Sequence, residues 1–293
     1  MKYLRLSKAP KVAIVYRSNT PNVFYWIKKI RSLLPKGARV TLGPHQIPLK
    51  GFPVVTFSEF FRCDLIIALG GDGTYLRAHR LLHGHSVPIL GIHLGTLGFL
   101  TPNRTQDLPD LFKKLLAGKL VLLPRTRIRV QVHRNKNKLL SELALNDVVL
   151  ERGELSQLIH LKVSANDDWL FDAKADGIIV STPVGSTAYN LAVGGPLLHP
   201  EAPVLSLSLI APHSLTTRPI VVPDTMPIRL EMAERKNMGI CGRLVIDGQV
   251  RIPIEPQDII EVFRDKTLHY FVRDPQTHEF QLLRQKLHFG ERD

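Results

Sequence analysis

The run Gly70-Gly71-Asp72-Gly73-Thr74 constrains this chain more than any other feature, because it follows the unbroken apolar stretch Leu65-Ile66-Ile67-Ala68-Leu69 and precedes a segment of helical pattern. A short continuous apolar run bounded by turn residues reads as a strand covered on both faces, the strand type of parallel sheets. Val12 to Tyr16 and Pro88 to Ile92 are two more such runs. Between them Val23, Ile27, Ile30 and Leu34 recur at helical spacing after Thr20-Pro21, which reads as a cap before a first-turn proline, and Gly37 closes the segment. A second helix is expected over about 74–82. Strand, helix and strand in alternation predict an α/β domain with a parallel sheet.

After Pro102 the pattern changes. Leu108 to Leu116 reads as a short amphipathic helix ended by Gly118, and from there strands dominate. Arg127 to Arg134 alternates polar with apolar residues, and a polar turn at residues 134–138 leads into Leu139 to Leu150, a hairpin signature. Later apolar runs, the last at Leu268 to Val272, are separated by Pro, Gly and Asp turns. They predict a mostly antiparallel domain of β-sandwich type. With 293 residues the chain exceeds the roughly 250 that one core usually serves, so two domains are expected. Residues 1–102 form the α/β domain and 103–274 the β domain, with the tail 275–293 packing back on the first.

Composition narrows the function classes. Hydrophobic residues make up 44% and charged residues 22% of the chain, an ordinary globular balance. No apolar run approaches the about 20 residues of a spanning helix. Met1 to Lys8 carry no long apolar stretch after their basic residues, so a cytoplasmic protein without a secretory leader is expected. Cys63 and Cys241 stand far apart and are expected to be buried, reduced thiols rather than a disulfide framework or metal ligands. The net charge of +13 draws polyanions, yet the basic residues are dispersed and not interleaved with aromatics, which reads as a solvated surface rather than a nucleic-acid site. No His-Glu-x-x-His and no Gly-x-Ser-x-Gly occurs, which leaves zinc and serine hydrolases unsupported.

Glycines at the carboxyl end of a strand let backbone amides approach a phosphate, and a helix N-terminus adds partial positive charge. Asp72 is anomalous in such a cradle, since a carboxylate repels phosphate unless it holds a metal or takes a proton. Two readings stand side by side: chemistry at Asp72, or a tight turn in which Asp72 caps the helix. The loop is not a Walker A sequence, and Leu76 stands where a dinucleotide fingerprint needs its third glycine. A second glycine series, Gly91 to Leu100, either walls the same cleft or is a packed turn. A third segment, Asp176 to Asn190, runs through a Pro-Gly turn toward Gly194-Gly195-Pro196 and gathers hydroxyls, a ring and a carboxylate.

Together and in this order, these segments resemble the NAD kinase family. Gly-Gly-Asp-Gly alone is shared with diacylglycerol and sphingosine-type lipid kinases and, more distantly, with phosphofructokinases. The stretch from Asp176-Gly177 to Gly185-Ser186-Thr187-Ala188-Tyr189 separates NAD kinases from those relatives. The resemblance implies NAD as phosphate acceptor, ATP with a divalent cation (Mg²⁺) as donor with polyphosphate as the alternative, and a homodimer or homotetramer. Two departures stand out. Asn146-Asp147 replaces the family's Asn-Glu in the preceding hairpin, and His93 stands where Asn is common.

The resemblance also assigns roles. Asp72 is the candidate base for the ribose 2′-hydroxyl and, with Gly73, a dinucleotide contact. Gly70, Gly71, Gly73 and Thr74 hold phosphate, with Arg77 a further contact. Asn146 and Asp147 grip adenosine hydroxyls, or are merely a turn pair. Asp176 accepts from an amino or carboxamide group, while Thr187, Ala188 and Tyr189 offer a hydroxyl, backbone groups and a stacking face. Tyr189 as plain core is the competing reading. Lys174 lies on the face of Asp176 if their strand begins early, and reaches a phosphate or is simply solvated. Asn190, Ala192 and Gln249 are assigned to the dinucleotide by resemblance alone. No dedicated metal cluster is visible, so Mg²⁺ is expected to arrive with ATP. The rivals are a lipid kinase and a silent dinucleotide- or RNA-binding module; neither nucleic acid nor membrane is an expected partner.

Overall fold

The computed structural model describes residues 2–18, 20–153, 158–233 and 242–288. The chain divides into two compact units, one of residues 1–124 with 269–293 and one of residues 125–268.

The first unit is built on an eight-stranded sheet in the order Lys2–Tyr3, Val121–Arg125, His269–Arg273, Ile89–His93, Leu65–Leu69, Lys11–Tyr16, Arg39–Leu42, with Asn103–Arg104 beside Ile89–His93. Its centre is parallel and its strands Leu65–Leu69 and Ile89–His93 are buried at every residue, as their apolar runs require. The sheet is mixed rather than wholly parallel, because Lys2–Tyr3 pairs antiparallel with Leu122 and Val121. The boundary lies after Pro124, not after residue 102. Leu108, Leu111, Phe112 and Leu115 of the helix Leu108–Leu116 enter the same apolar cluster as Val12, Ile14 and Ile67. Helical period reveals an apolar stripe but not which core receives it. The strand at 269–273, expected in the β domain, instead joins this sheet, where Phe271 pairs with Ile89. Of the tail, the helix Glu279–Leu287 buries Leu282 and sets the Lys286 ammonium 4.9 Å from the Phe99 ring centroid.

Two helices start elsewhere than expected. The first runs Val23–Leu33 from Asn22, whose φ is 59°, rather than from Thr20; Asn tolerates the left-handed region. The second runs Asp72–Leu81, so Asp72 lies inside its first turn.

The second unit is a sandwich of two six-stranded antiparallel sheets sharing one apolar core. One sheet holds, in order, Ile220–Pro223, Val204–Ile210, Gly177–Ser181, Asp147–Arg152, Gly242–Ile246 and Val250–Ile254; the other holds Asp168–Ala175, Ile159–Ala165, Ile228–Met232, Ile259–Arg264, Ile128–Arg134 and Asn137–Ala144. Asn135 and Lys136, at φ 50° and 67°, make the two-residue turn of the expected hairpin. That hairpin ends at Ala144, however, and the chain then crosses to the other sheet. It makes a second crossing in the same direction at Asp176, between Asp168–Ala175 and Gly177–Ser181. The sheet that receives both crossings also packs Val149, Ile179 and Val245 against Val193, which seats the segment after Ser181 on its outer side. Arg127, fully buried, donates to the Thr267 carbonyl at 3.3 Å and to the Thr267 hydroxyl, which offsets the cost of enclosing its charge.

Candidate functional site

In the first unit the glycine loop leaves the carboxyl end of Leu65–Leu69, its Gly70 N–H donating to the Ile92 carbonyl at 2.9 Å. A side chain on Gly70 would collide with Thr74, whereas a Cβ on Gly71 or Gly73 would meet nothing within 4 Å. The backbone at those two residues is therefore open to a ligand, as phosphate binding needs.

Asp72 does not cap the helix; its side chain makes no capping bond. Its Oδ1 accepts from the Leu100 amide at 3.0 Å, the Thr101 amide at 3.1 Å and the Thr101 hydroxyl at 3.0 Å. Among the described residues its Oδ2 accepts from the Phe99 amide alone, at 2.9 Å. The carboxylate thus ties the first glycine loop to the second. Gly98 makes the close approach feasible, since a Cβ there would overlap the Asp72 carboxylate and the Thr101 hydroxyl. Gly91 does the same one layer below, where a Cβ would strike the Leu100 carbonyl. A carboxylate offers about four acceptor positions, so Oδ2 keeps capacity that Oδ1 has spent.

His93, buried at the end of its strand, bonds the Gly95 carbonyl at 2.7 Å through Nδ1, while its Nε2 has no partner among the described residues. Arg77 donates to the His45 carbonyl at 3.1 Å, so part of its fork holds a turn. Thr74 is buried beneath the loop.

In the second unit the expected residues fall at opposite ends of the paired strands Asp147–Arg152 and Gly177–Ser181: Asn146 and Asp147 lie beside Ser181 and Thr182, whereas Asp176 lies beside Arg152. Asn146 and Asp147 are not a hairpin turn pair; they form the crossing from Ala144 to the strand Asp147–Arg152, and both are buried. The Asn146 carbonyl accepts from the Thr182 amide at 2.8 Å, and a Cβ on Gly185 would overlap it. Its side-chain Oδ1 is buried with no donor among the described residues. Asp247 carries the opposing turn: its Oδ1 accepts from the Asn146 amide at 2.7 Å and its Oδ2 from the Leu145 amide at 2.9 Å. Burial, and then the Asp247 charge, push the Asp147 carboxyl up to about 7.

Asp176 stands at the other crossing, not two residues along one strand from Lys174, and pairs with Arg152 at 3.1 Å. Lys174 is exposed. Tyr189 is 40% exposed, which removes the plain-core reading. Thr187 and Ala188 are half-buried and Ala192 exposed. Asn190 is a correction: it is fully buried, its amide donates to the Pro196 carbonyl at 3.1 Å and accepts from Ser208 at 2.7 Å, so its side chain serves the fold. Gln249 lies half-buried in the turn after Asp247. Cys63 is half-buried rather than buried, with its thiol pushed up to about 11 by burial, and Cys241 lies outside the described residues. Among the described residues no group of three or more His, Cys, Asp or Glu is arranged to hold a metal ion, and no helix is long and apolar enough to cross a membrane.

Two residues escaped the sequence reading. Thr101 carries no local signal, since its role depends on a contact 29 positions away. Asp247 had one, because Asp-Gly is a strong two-residue hairpin turn, here with φ 48° and 65°.

A glycine loop tied by one carboxylate at the carboxyl edge of an α/β sheet stands where open sheets of this class bind ligands, and it is neither a Walker A loop nor a dinucleotide fingerprint. Two family descriptions match the chain, ATP-NAD kinase N-terminal domain over residues 36–120 and ATP-NAD kinase C-terminal domain over residues 145–273. A NAD kinase of Bdellovibrio bacteriovorus is 42% identical, covering 99% of this chain and 95% of that protein, and one of Trichlorobacter lovleyi is 38% identical over 79% and 80%. The chain belongs to the NAD kinase family. Its fold matches a crystal structure of yeast NADH kinase complexed with NADH, with TM-score 0.86 and 24% identity over 100% of this chain and 93% of that one. A NAD kinase from Archaeoglobus fulgidus in complex with ATP matches with TM-score 0.74 at 24% identity, covering 95% and 98%.

Proposed function

We propose that this protein transfers the γ-phosphoryl group of ATP to the 2′-hydroxyl of the adenosine ribose of NAD, making NADP. The observation that carries the reading is the placement of Asp72: a carboxylate on an open glycine loop, immobilised through four hydrogen bonds, with acceptor capacity left on Oδ2. Phosphoryl transfer asks the protein mainly for positioning and charge neutralisation. The Oδ2 atom of Asp72 orients the hydroxyl and accepts its proton as the new P–O bond forms and the bond to the ADP oxygen breaks. Gly71 and Gly73 are exposed, with room around their backbone for phosphate oxygens, and Arg77 is nearby on the helix. A divalent cation such as Mg²⁺, which prefers phosphate oxygens and water to all-protein cages, would be held mainly by the ATP phosphates and would supply charge neutralisation on the donor.

Asn146 and Asp147 hold the dinucleotide; the buried Oδ1 of Asn146 suits a hydroxyl or amino donor. Tyr189 offers an exposed ring for stacking and Lys174 an exposed cation, with Asp176, Thr187, Ala188, Ala192 and Gln249 as further contacts. The protein works in the cytoplasm as a homodimer or homotetramer, and polyphosphate is the alternative donor. The test is NADP production by purified protein from NAD, ATP and Mg²⁺, run beside diacylglycerol as acceptor and RNA as competitor. NADP formation at a rate untouched by RNA supports the reading. Phosphorylation of the lipid alcohol instead, or NAD binding without turnover, would replace it with one of the rivals.

A further inference from the structure

The crossing that carries Asn146 and Asp147 is held by a residue outside the reacting set. Asp247 accepts from three successive amides, Leu145 at 2.9 Å, Asn146 at 2.7 Å and Asp147 at 3.2 Å, and returns its own amide to the Asp147 carbonyl at 3.0 Å. On the opposite side Thr182 donates its hydroxyl to the Leu145 carbonyl at 2.6 Å and its amide to the Asn146 carbonyl at 2.8 Å. Every backbone polar group of Asn146 is thereby used, while its side-chain Oδ1 stays buried without a donor. A fixed backbone that presents a buried, unsatisfied acceptor is a device for a ligand, because leaving that acceptor unpaired costs free energy that a bound donor recovers.

We propose that Asp247 is the positioning residue of the dinucleotide site, its carboxylate setting Asn146 and Asp147 by gathering the amides of Leu145, Asn146 and Asp147. The inference rests on the dinucleotide reading given above for that pair. Asp247 also acts electrically. The neighbouring strand faces Asp147 with Ser181 and then Thr182, which carry no charge, and Asp247 is the charged group that acts on the Asp147 carboxyl. Removing that negative charge lowers the pH at which Asp147 ionises. An ionised Asp147 accepts from ribose hydroxyls, so the KM for NAD falls as pH rises through the neutral range, and the position of this fall reports on Asp247.

Steady-state kinetics of Asp247→Ala and Asp247→Asn decide the matter. Asp247→Ala is expected to raise the KM for NAD roughly 10²-fold, as misplacing a contact by an ångström does, with the KM for ATP unchanged. Asp247→Asn keeps the shape and an acceptor oxygen but not the charge, and is expected to shift the inflection in KM for NAD to lower pH; a purely structural role would leave it in place. An unchanged KM for NAD in Asp247→Ala, or an unmoved inflection in Asp247→Asn, overturns the proposal. If Asp247→Ala does not fold, Asp247→Asn alone carries the test. If the wild type makes no NADP, the functional reading fails separately, and calorimetric NAD affinities of wild type and Asp247→Asn across pH still decide Asp247, equal profiles overturning it.

Discussion

Asp147 bears the cost of a carboxyl enclosed beside a second carboxylate. Its pKa of about 7 lies above the ordinary 3.8, so between those values the folded protein binds a proton that the unfolded chain releases. The resulting stability is complete below the unfolded value and is lost as pH rises through about 7. Asp147→Asn, which cannot ionise, should therefore be more stable than wild type at about pH 8.5 by a few kcal/mol and lose most of that advantage near about pH 5. Thermal denaturation at the two pH values checks this, and a gap independent of pH contradicts it. The same substitution should weaken NAD binding, because the site trades stability for an acceptor. At this scale the sequence was a partial guide. Asp72 stood out by residue type and the Asn146-Asp147 pair by resemblance, but the burial of Asn190 beside an exposed Tyr189 was not legible, since neighbouring positions in a short helical turn face different ways.

The pairing of loops is the decisive event among elements. Leu65–Leu69 and Ile89–His93 were legible as strands because their apolar runs are unbroken, and the glycine series after each was legible as a loop. That the two loops are joined through Asp72 was not, because the donors at Phe99, Leu100 and Thr101 are mostly backbone amides, which every residue carries. Gly98→Ala tests that junction. Its methyl group would overlap the Asp72 carboxylate, and overpacking of this kind costs about 1–3 kcal/mol. The expected result is a modest fall in melting temperature with a larger fall in kcat, as Asp72 is pushed off its donors; an unchanged kcat would mean that the junction does not set the rate. Sheet crossings were equally hidden. A chain leaving one sheet for the other at Asn146 or Asp176 keeps the same alternation of apolar residues, so period-two patterning reads straight through the corner.

For the molecule as a whole, the two-part plan was legible from the change of pattern after Pro102, but the boundary at Pro124 and the return at His269 were not, because apolar periodicity does not say which core a segment joins. The net charge of +13 has a consequence at this scale, since both proposed substrates are anionic. The value of kcat/KM for ATP should fall several-fold as ionic strength rises from about 0.01 to 0.15 M and the screening length shrinks from about 30 to 8 Å. A flat profile would show that the charge is spread too evenly to steer. NADP formation by Asp72→Asn beside wild type, with NAD affinity of both measured by calorimetry, decides whether Asp72 serves the chemistry or only the turn. Wild type is expected to turn over while Asp72→Asn binds NAD with little change and loses roughly 10²–10⁴-fold in kcat, the usual contribution of a positioned base. A variant that retains its rate, or a wild type that makes no NADP from ATP or polyphosphate, would contradict this expectation.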